Sequence, residues 1–141
     1  MTYLGIDYGK ARIGLAIAMP PYIMAMPYKT IFNDNLAVNQ IAKVVKDKKV
    51  SQIFIGYPID LQGQKSYAAN IIEQWLETDL KPTLKQLLGD SFLRVCQISL
   101  VDERFTTALA TQKLCETGKK SKQYKKVIDQ IAAAEILNSV L

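Results

Sequence analysis

The chain opens with two short apolar runs joined by a tight turn, and an acid lies at the end of the first run. The runs cover about 2–8 and 13–19, with Gly9 between them. Apolar runs on either side of a glycine turn predict a β-hairpin. Asp7 is then a carboxylate beside the core, where desolvation is costly unless the charge meets a cation, a hydrogen-bond donor or a metal ion. From this stretch alone, Asp7 is either part of a functional site or an Asx-type turn residue.

The patterns that follow predict an α/β fold. The uninterrupted run Ile53–Ile55 is typical of a central parallel strand, and Ser66 is a good helix cap. This order implies a mixed five-stranded sheet, an antiparallel meander plus parallel strands, with helices on both faces, and we expect residues 1–141 to form a single domain. The predicted elements after the hairpin are strands over 23–31, 52–56 and 92–100, helices over 36–48, 67–80, 106–117 and 125–141, and a short helix between Pro82 and Gly89.

The composition excludes one broad class of mechanism. The chain contains no histidine, so imidazole is excluded as a base, a nucleophile or a zinc ligand within it. Its two cysteines, Cys96 and Cys115, have no metal-binding or redox spacing, and we expect buried thiols in a reducing compartment. The uncharged stretch 13–28 is interrupted by three prolines, which argues against a membrane span or a signal peptide. We therefore expect a cytoplasmic protein with no membrane partner.

The positive charge is concentrated in one segment. The net charge is +5, and the segment 119–126 holds five of the 18 basic residues and no acid. A concentrated basic segment suits a polyanion, because neutralising phosphates releases counterions locally. The alternative is a solvated loop that keeps the protein soluble. The five lysines are Lys119, Lys120, Lys122, Lys125 and Lys126.

Further acids are predicted near the same end of the sheet as Asp7. Asp102 and Glu103 follow an apolar strand, and because successive strand residues point to opposite faces, one of the two is expected to face Asp7 while the other caps the next helix. Asp129 lies near the start of the last helix, where an acid also stabilises the helix dipole. Clustered carboxylates repel unless a hard cation such as Mg²⁺ lies between them. A pair of such ions can hydrolyse phosphodiesters without histidine.

Four sequence blocks, in order along the chain, resemble the YqgF family, whose members are described as pre-16S rRNA nucleases and as Holliday-junction resolvases. The resemblance implies an RNase H-like nuclease domain in which acids bind Mg²⁺, or Mn²⁺ in its place. Carried over by position, the implied catalytic and metal-binding acids are Asp7, Asp102 or Glu103, and Asp129. The blocks are Gly5–Lys10, Ile55–Pro58 with Gly63, Val101–Arg104 with Thr106 and Thr107, and Val127–Ala133.

The leading hypothesis is a metal-dependent nuclease that processes the 5′ end of precursor 16S rRNA, free or within a pre-ribosomal particle. One alternative is a resolvase of branched DNA, for which a homodimer rather than a monomer is expected. Another is a nucleic-acid-binding ribosome-assembly factor with little cleavage activity. Lys10, Arg104 and the basic segment would hold phosphates, although Arg104 could equally pair with an acid. Asp60 is an additional acid without an assigned role.

Overall fold

The computed structural model describes residues 1–21, 24–58, 66–102 and 122–141. Within them, five strands form one mixed sheet. The strands are β1 (Thr2–Tyr8), β2 (Arg12–Ala18), β3 (Met26–Phe32), β4 (Val50–Tyr57) and β5 (Gln97–Asp102). Their order across the sheet is β3-β2-β1-β4-β5. The first three pair antiparallel, whereas β4 is parallel to β1 and β5 is parallel to β4. The predicted mixed sheet is confirmed, and it brings the carboxyl ends of β1, β4 and β5 to one edge.

The helices of the described residues follow the predicted pattern closely. Ser66 caps α2 as expected, since its Oγ accepts the N–H of Ala69 at 3.1 Å. A π-helical turn, Leu76–Leu80, joins α2 to α3, so the two helices predicted there form one continuous helical stretch with Pro82 in the first turn of α3. The helices are α1 (Ala37–Asp47), α2 (Tyr67–Trp75), α3 (Lys81–Leu88), α4 (Phe92–Val95) and α5 (Lys122–Asn138).

The strand predicted over 92–100 is wrong in its first half. Phe92–Val95 forms one helical turn, closed by the N–H of Cys96 on the carbonyl of Phe92 at 2.9 Å, and β5 begins only at Gln97. Phe92 and Cys96 are both buried. A run of only four residues has no periodicity that separates a helical turn from a strand, so the sequence did not distinguish them.

The sheet separates two apolar layers of different character. On one face, large aliphatic side chains such as Leu4, Ile6 and Ile53 pack with α1, α2 and α3. On the other face, Ala16 and Ala18 meet the small residues of α5. Helices therefore cover both faces, as predicted. The small residues allow α5 to lie very close to the sheet.

In the part of the chain that the structure describes, no helix combines the length and apolarity that crossing a membrane requires.

Several sequence predictions lie outside the described residues. They are the helix over 106–117, the acids Asp60 and Glu103, the basic residues Arg104, Lys119 and Lys120, and the thiol Cys115.

Candidate active site

Asp7 lies one residue before the end of β1 and is partly buried. Its partner across the antiparallel β1–β2 pair is Gly14. Residues directly opposite each other in such a pair point to the same face of the sheet. The side chain of Asp7 therefore points to the face on which Gly14 is covered.

Helix α5 covers Gly14 with the backbone of Asp129. A Cβ atom added to Gly14 would collide with the carbonyl group of Asp129 and lie 2.9 Å from its Cβ. One turn further along, a Cβ on Gly5 would lie 2.7 Å from the carbonyl oxygen of Ala133. Only glycine permits this approach. The crossing places Asp129 beside Asp7, so the structure brings together two of the predicted acids.

Arg12 holds the carboxylate of Asp129. Its Nε donates a hydrogen bond to Oδ2 of Asp129 at 2.8 Å, and the two side chains are 29% and 18% exposed. Arg12 lies two residues before Gly14 on β2, hence on the same face of the sheet. Sequence reasoning missed this residue. The alternation of side chains along β2 was the one signal that could have indicated it.

The turn between β1 and β2 is fixed from outside. Asn33 Nδ2 donates to the carbonyl oxygen of Gly9 at 2.8 Å, and the backbone N–H of Asn33 donates to the carbonyl of Ala11 at 2.9 Å. Asn33 and Asp34 are both candidate caps for the following helix by sequence, and of the two Asp34 accepts the N–H of Leu36, at 2.9 Å. Lys10 is exposed in the clamped turn. It follows Asp7 by three residues in the sequence.

Asp102 ends β5 and lies opposite Tyr57 in the parallel β4–β5 pair. Tyr57 lies two residues after Ile55 in β4, so both point to the same face of the sheet. Ile55 pairs with Ile6, and Ile6 points to the opposite face from its neighbour Asp7. The register thus places Asp102 on the face opposite to that of Asp7. The alternative acid, Glu103, lies outside the described segments.

The basic residues are only partly described. Lys126 is exposed on α5, one turn before Asp129, and its Nζ lies 5.4 Å from the centre of the Phe32 ring. The carbonyl of Lys126 accepts a hydrogen bond from Thr30 Oγ1 at 2.6 Å, which ties the start of α5 to β3. Lys122 and Lys125 belong to the same helix. One cation of the predicted basic segment therefore lies within a helical turn of the acid pair.

The two acids fit a hard divalent cation. Among the described residues, no three acidic, thiol or imidazole side chains are grouped closely enough to hold a metal ion by themselves. Mg²⁺ does not require such a group, because proteins usually bind it through one or two carboxylates together with water and substrate phosphates. Asp7 and Asp129 would supply such a donor set from one face of the sheet.

Comparison with known proteins identifies the family of the chain. A family model described as "RuvX: Holliday junction resolvase" matches residues 1–141. The chain belongs to the RuvX family. This membership confirms the YqgF resemblance, and RuvX relatives carry the name "Putative pre-16S rRNA nuclease". One from Bifidobacterium longum subsp. infantis is 32% identical, covering 100% of this chain and 97% of the relative. Another, from a Sulfurihydrogenibium species, is 36% identical, and the match covers 98% of this chain and 88% of the relative.

Solved structures similar to this RuvX chain have the expected fold. The Fowlpox virus resolvase bound to Holliday junction DNA superposes with a TM-score of 0.54 at 12% identity, covering 100% of this chain and 99% of the resolvase. Thermus thermophilus RuvC in complex with a Holliday junction superposes with a TM-score of 0.53 at 11% identity, covering 99% of this chain and 92% of the RuvC chain. At these identities the likeness establishes the RNase H-like fold. The family description and the relatives' names agree on nuclease chemistry.

Proposed function

We propose that this RuvX protein is a divalent-metal-dependent nuclease that cleaves precursor 16S rRNA near its 5′ end. The observation that carries the proposal is the crossing of α5 over Gly14, which sets Asp129 beside Asp7 on one face of the sheet. The names of the relatives supply the substrate. The absence of histidine is compatible with this chemistry, since bound metal ions would activate water and stabilise the leaving oxygen.

In this proposal the chain's own residues bind and orient. Asp7 and Asp129 would hold the ion, with Asp102 or Glu103 as the third acid that the resemblance implies. Arg12 keeps the carboxylate of Asp129 in place through the 2.8 Å bond to Oδ2. Lys10 and Lys126 are exposed and would hold backbone phosphates.

A cleavage assay tests the proposal. Purified protein is incubated with RNA that carries the 5′ extension of the precursor, with Mg²⁺ or with EDTA. We expect cleavage only with Mg²⁺, and a decrease of more than about 100-fold for Asp7→Asn, since even an outer partner of a metal site is worth 10- to 100-fold. Asp90→Asn is the matched control, because Asp90 is exposed and precedes β5, at the opposite edge of the sheet. Equal cleavage by Asp7→Asn and the unchanged protein would refute the mechanism.

Branched DNA is the second candidate substrate, favoured by the family's own description. The same preparations are offered a four-way DNA junction. Metal-dependent cleavage of the junction, without cleavage of the RNA, would show that branched DNA and not precursor 16S rRNA is the substrate. Binding of RNA without cleavage of either substrate would instead favour an assembly factor.

A further inference from the structure

A groove of about 500 Å³ lies between the β1–β2 turn and α2. Its size is within the range of sites that bind small organic groups. The groove lies at the same end of the sheet as the candidate active site but on the opposite face, because Tyr8 follows Asp7 in β1 and successive strand residues point to opposite faces. The described residues that line it are Tyr8, Lys10, Tyr67, Ala68, Ile71 and Ile72.

The groove offers a flat apolar surface on rigid supports. Tyr67 is 82% exposed, and Ile71, four residues later on the same face of α2, is 38% exposed. On the other wall, the ring of Tyr8 packs against that of Trp75, with 4.6 Å between the ring centres. Ser66 fixes the start of α2, because its Oγ also donates to the carbonyl of Pro58 at 3.1 Å. The exposed ring of Tyr67 is thus presented by a capped helix end.

The charge of the groove fits a nucleotide. Among its described lining residues, Lys10 carries the only charge, and it is exposed in the turn that follows Asp7. A nucleotide combines a flat ring, which stacks on aromatic side chains, with a phosphate, which pairs with a cation. A purely aliphatic ligand would leave the cation without a complementary group.

We propose that this groove holds an unpaired nucleobase of the substrate strand, stacked on Tyr67, with the adjoining phosphate on Lys10. The inference rests on the proposed function and narrows its substrate class. Bases in a duplex are already stacked on each other, so a stacking groove at this end of the sheet selects a strand whose bases are unpaired where it crosses the groove. The protein therefore prefers a single-stranded extension over a continuous duplex.

Binding of oligonucleotides in EDTA tests the groove without any cleavage. Fluorescence anisotropy gives the affinity for a short single-stranded RNA and for a duplex of the same length. We expect Tyr67→Ala to weaken single-strand binding by about 5- to 100-fold and to leave duplex binding unchanged. Tyr67→Phe retains the ring and the affinity. Tyr28→Ala is the matched control, because Tyr28 is 41% exposed on β3, the strand at the far edge of the sheet.

A single abasic position moved along the RNA locates the stacked base. In the unchanged protein one position lowers the affinity, and in Tyr67→Ala that position no longer matters. The proposal is overturned if Tyr67→Ala binds the single strand as tightly as the unchanged protein, or if single-strand and duplex affinities fall equally. If Tyr67→Ala loses single-strand affinity but the unchanged protein cleaves no RNA, the groove still binds a nucleobase and only the nuclease proposal is refuted.

Discussion

At the scale of single residues, Asp129 is held by a neighbouring strand as well as by its own helix. The guanidinium of Arg12 occupies Oδ2 of Asp129, and the other oxygen of that carboxylate is the one that a metal ion could take. A charge-assisted bond of this kind fixes the orientation of a ligand, and orientation matters more to a metal site than the modest stability of one ion pair. Arg12 is therefore assigned as a positioning residue.

Replacing Arg12 separates positioning from stability. We expect Arg12→Ala to lower metal-dependent cleavage by about 10- to 100-fold. Its cost in unfolding free energy is expected to be about 1 kcal/mol or less. Arg12→Lys, which retains the charge, recovers part of the activity. Lys81→Ala is the control, because Lys81 makes a 2.8 Å ion pair with Glu77 on the surface of the continuous helical stretch. Full activity of Arg12→Ala would contradict the assignment.

The thiol of Cys96 is expected to give the fold a pH dependence. Burial raises the pKa of Cys96 from 9.0 to about 11. The folded protein binds this proton more tightly than the unfolded chain, so the stabilisation is fully present below pH 9 and is lost as the pH rises through 11. Relative to Cys96→Ala, the unchanged protein should lose stability between pH 8 and pH 10.5. Urea unfolding at the two pH values measures this, and a constant difference would contradict the prediction.

At the scale of elements, the active site depends on how closely α5 crosses β2. The contact uses backbone atoms on both sides, namely Gly14 and the carbonyl of Asp129, so neither side can yield by changing a rotamer. Overpacking against a rigid backbone is destabilising, typically by 1–3 kcal/mol.

Alanine substitutions at Gly14 and Gly5 test how closely α5 packs against the sheet at these two positions. We expect Gly14→Ala to destabilise the fold by more than about 2 kcal/mol and to abolish cleavage, because α5 must move away from Asp7. Gly5→Ala should cost less, since its added Cβ would lie 2.7 Å from the carbonyl of Ala133, a less severe collision. Urea unfolding gives both values. A Gly14→Ala protein as stable and as active as the unchanged one would show that the crossing is not as close as described.

The sequence predicts this molecule best where the signal is local. The hairpin around Gly9, the Ser66 cap and the buried run Ile53–Ile55 each reflect turn chemistry, capping or apolar pattern, and each is confirmed. The helical turn at Phe92–Val95 was missed, because four residues are too few to show a helical or a strand period. The bond from Arg12 to Asp129 spans 117 residues of sequence and depends on the helix crossing, which no local pattern encodes.

At the scale of the whole molecule, topology explains how residues distant in sequence reach one place. The parallel pairing of β1, β4 and β5 brings their carboxyl ends to the same edge, and α5 returns across β2 to add Asp129 there. Two strand spacings, about 10 Å, separate β1 from β5. The site is therefore assembled by the sheet order and not by neighbours in sequence.

The measurement that tests the central claim most directly is Mn²⁺ binding by titration calorimetry. The account predicts that the unchanged protein binds Mn²⁺, that Asp7→Asn and Asp129→Asn each weaken binding at least about 10-fold, and that Asp90→Asn binds normally. Circular dichroism checks that each variant is folded. Folded Asp7→Asn and Asp129→Asn proteins that bind Mn²⁺ with unchanged affinity would contradict the claim that these two acids form the metal site.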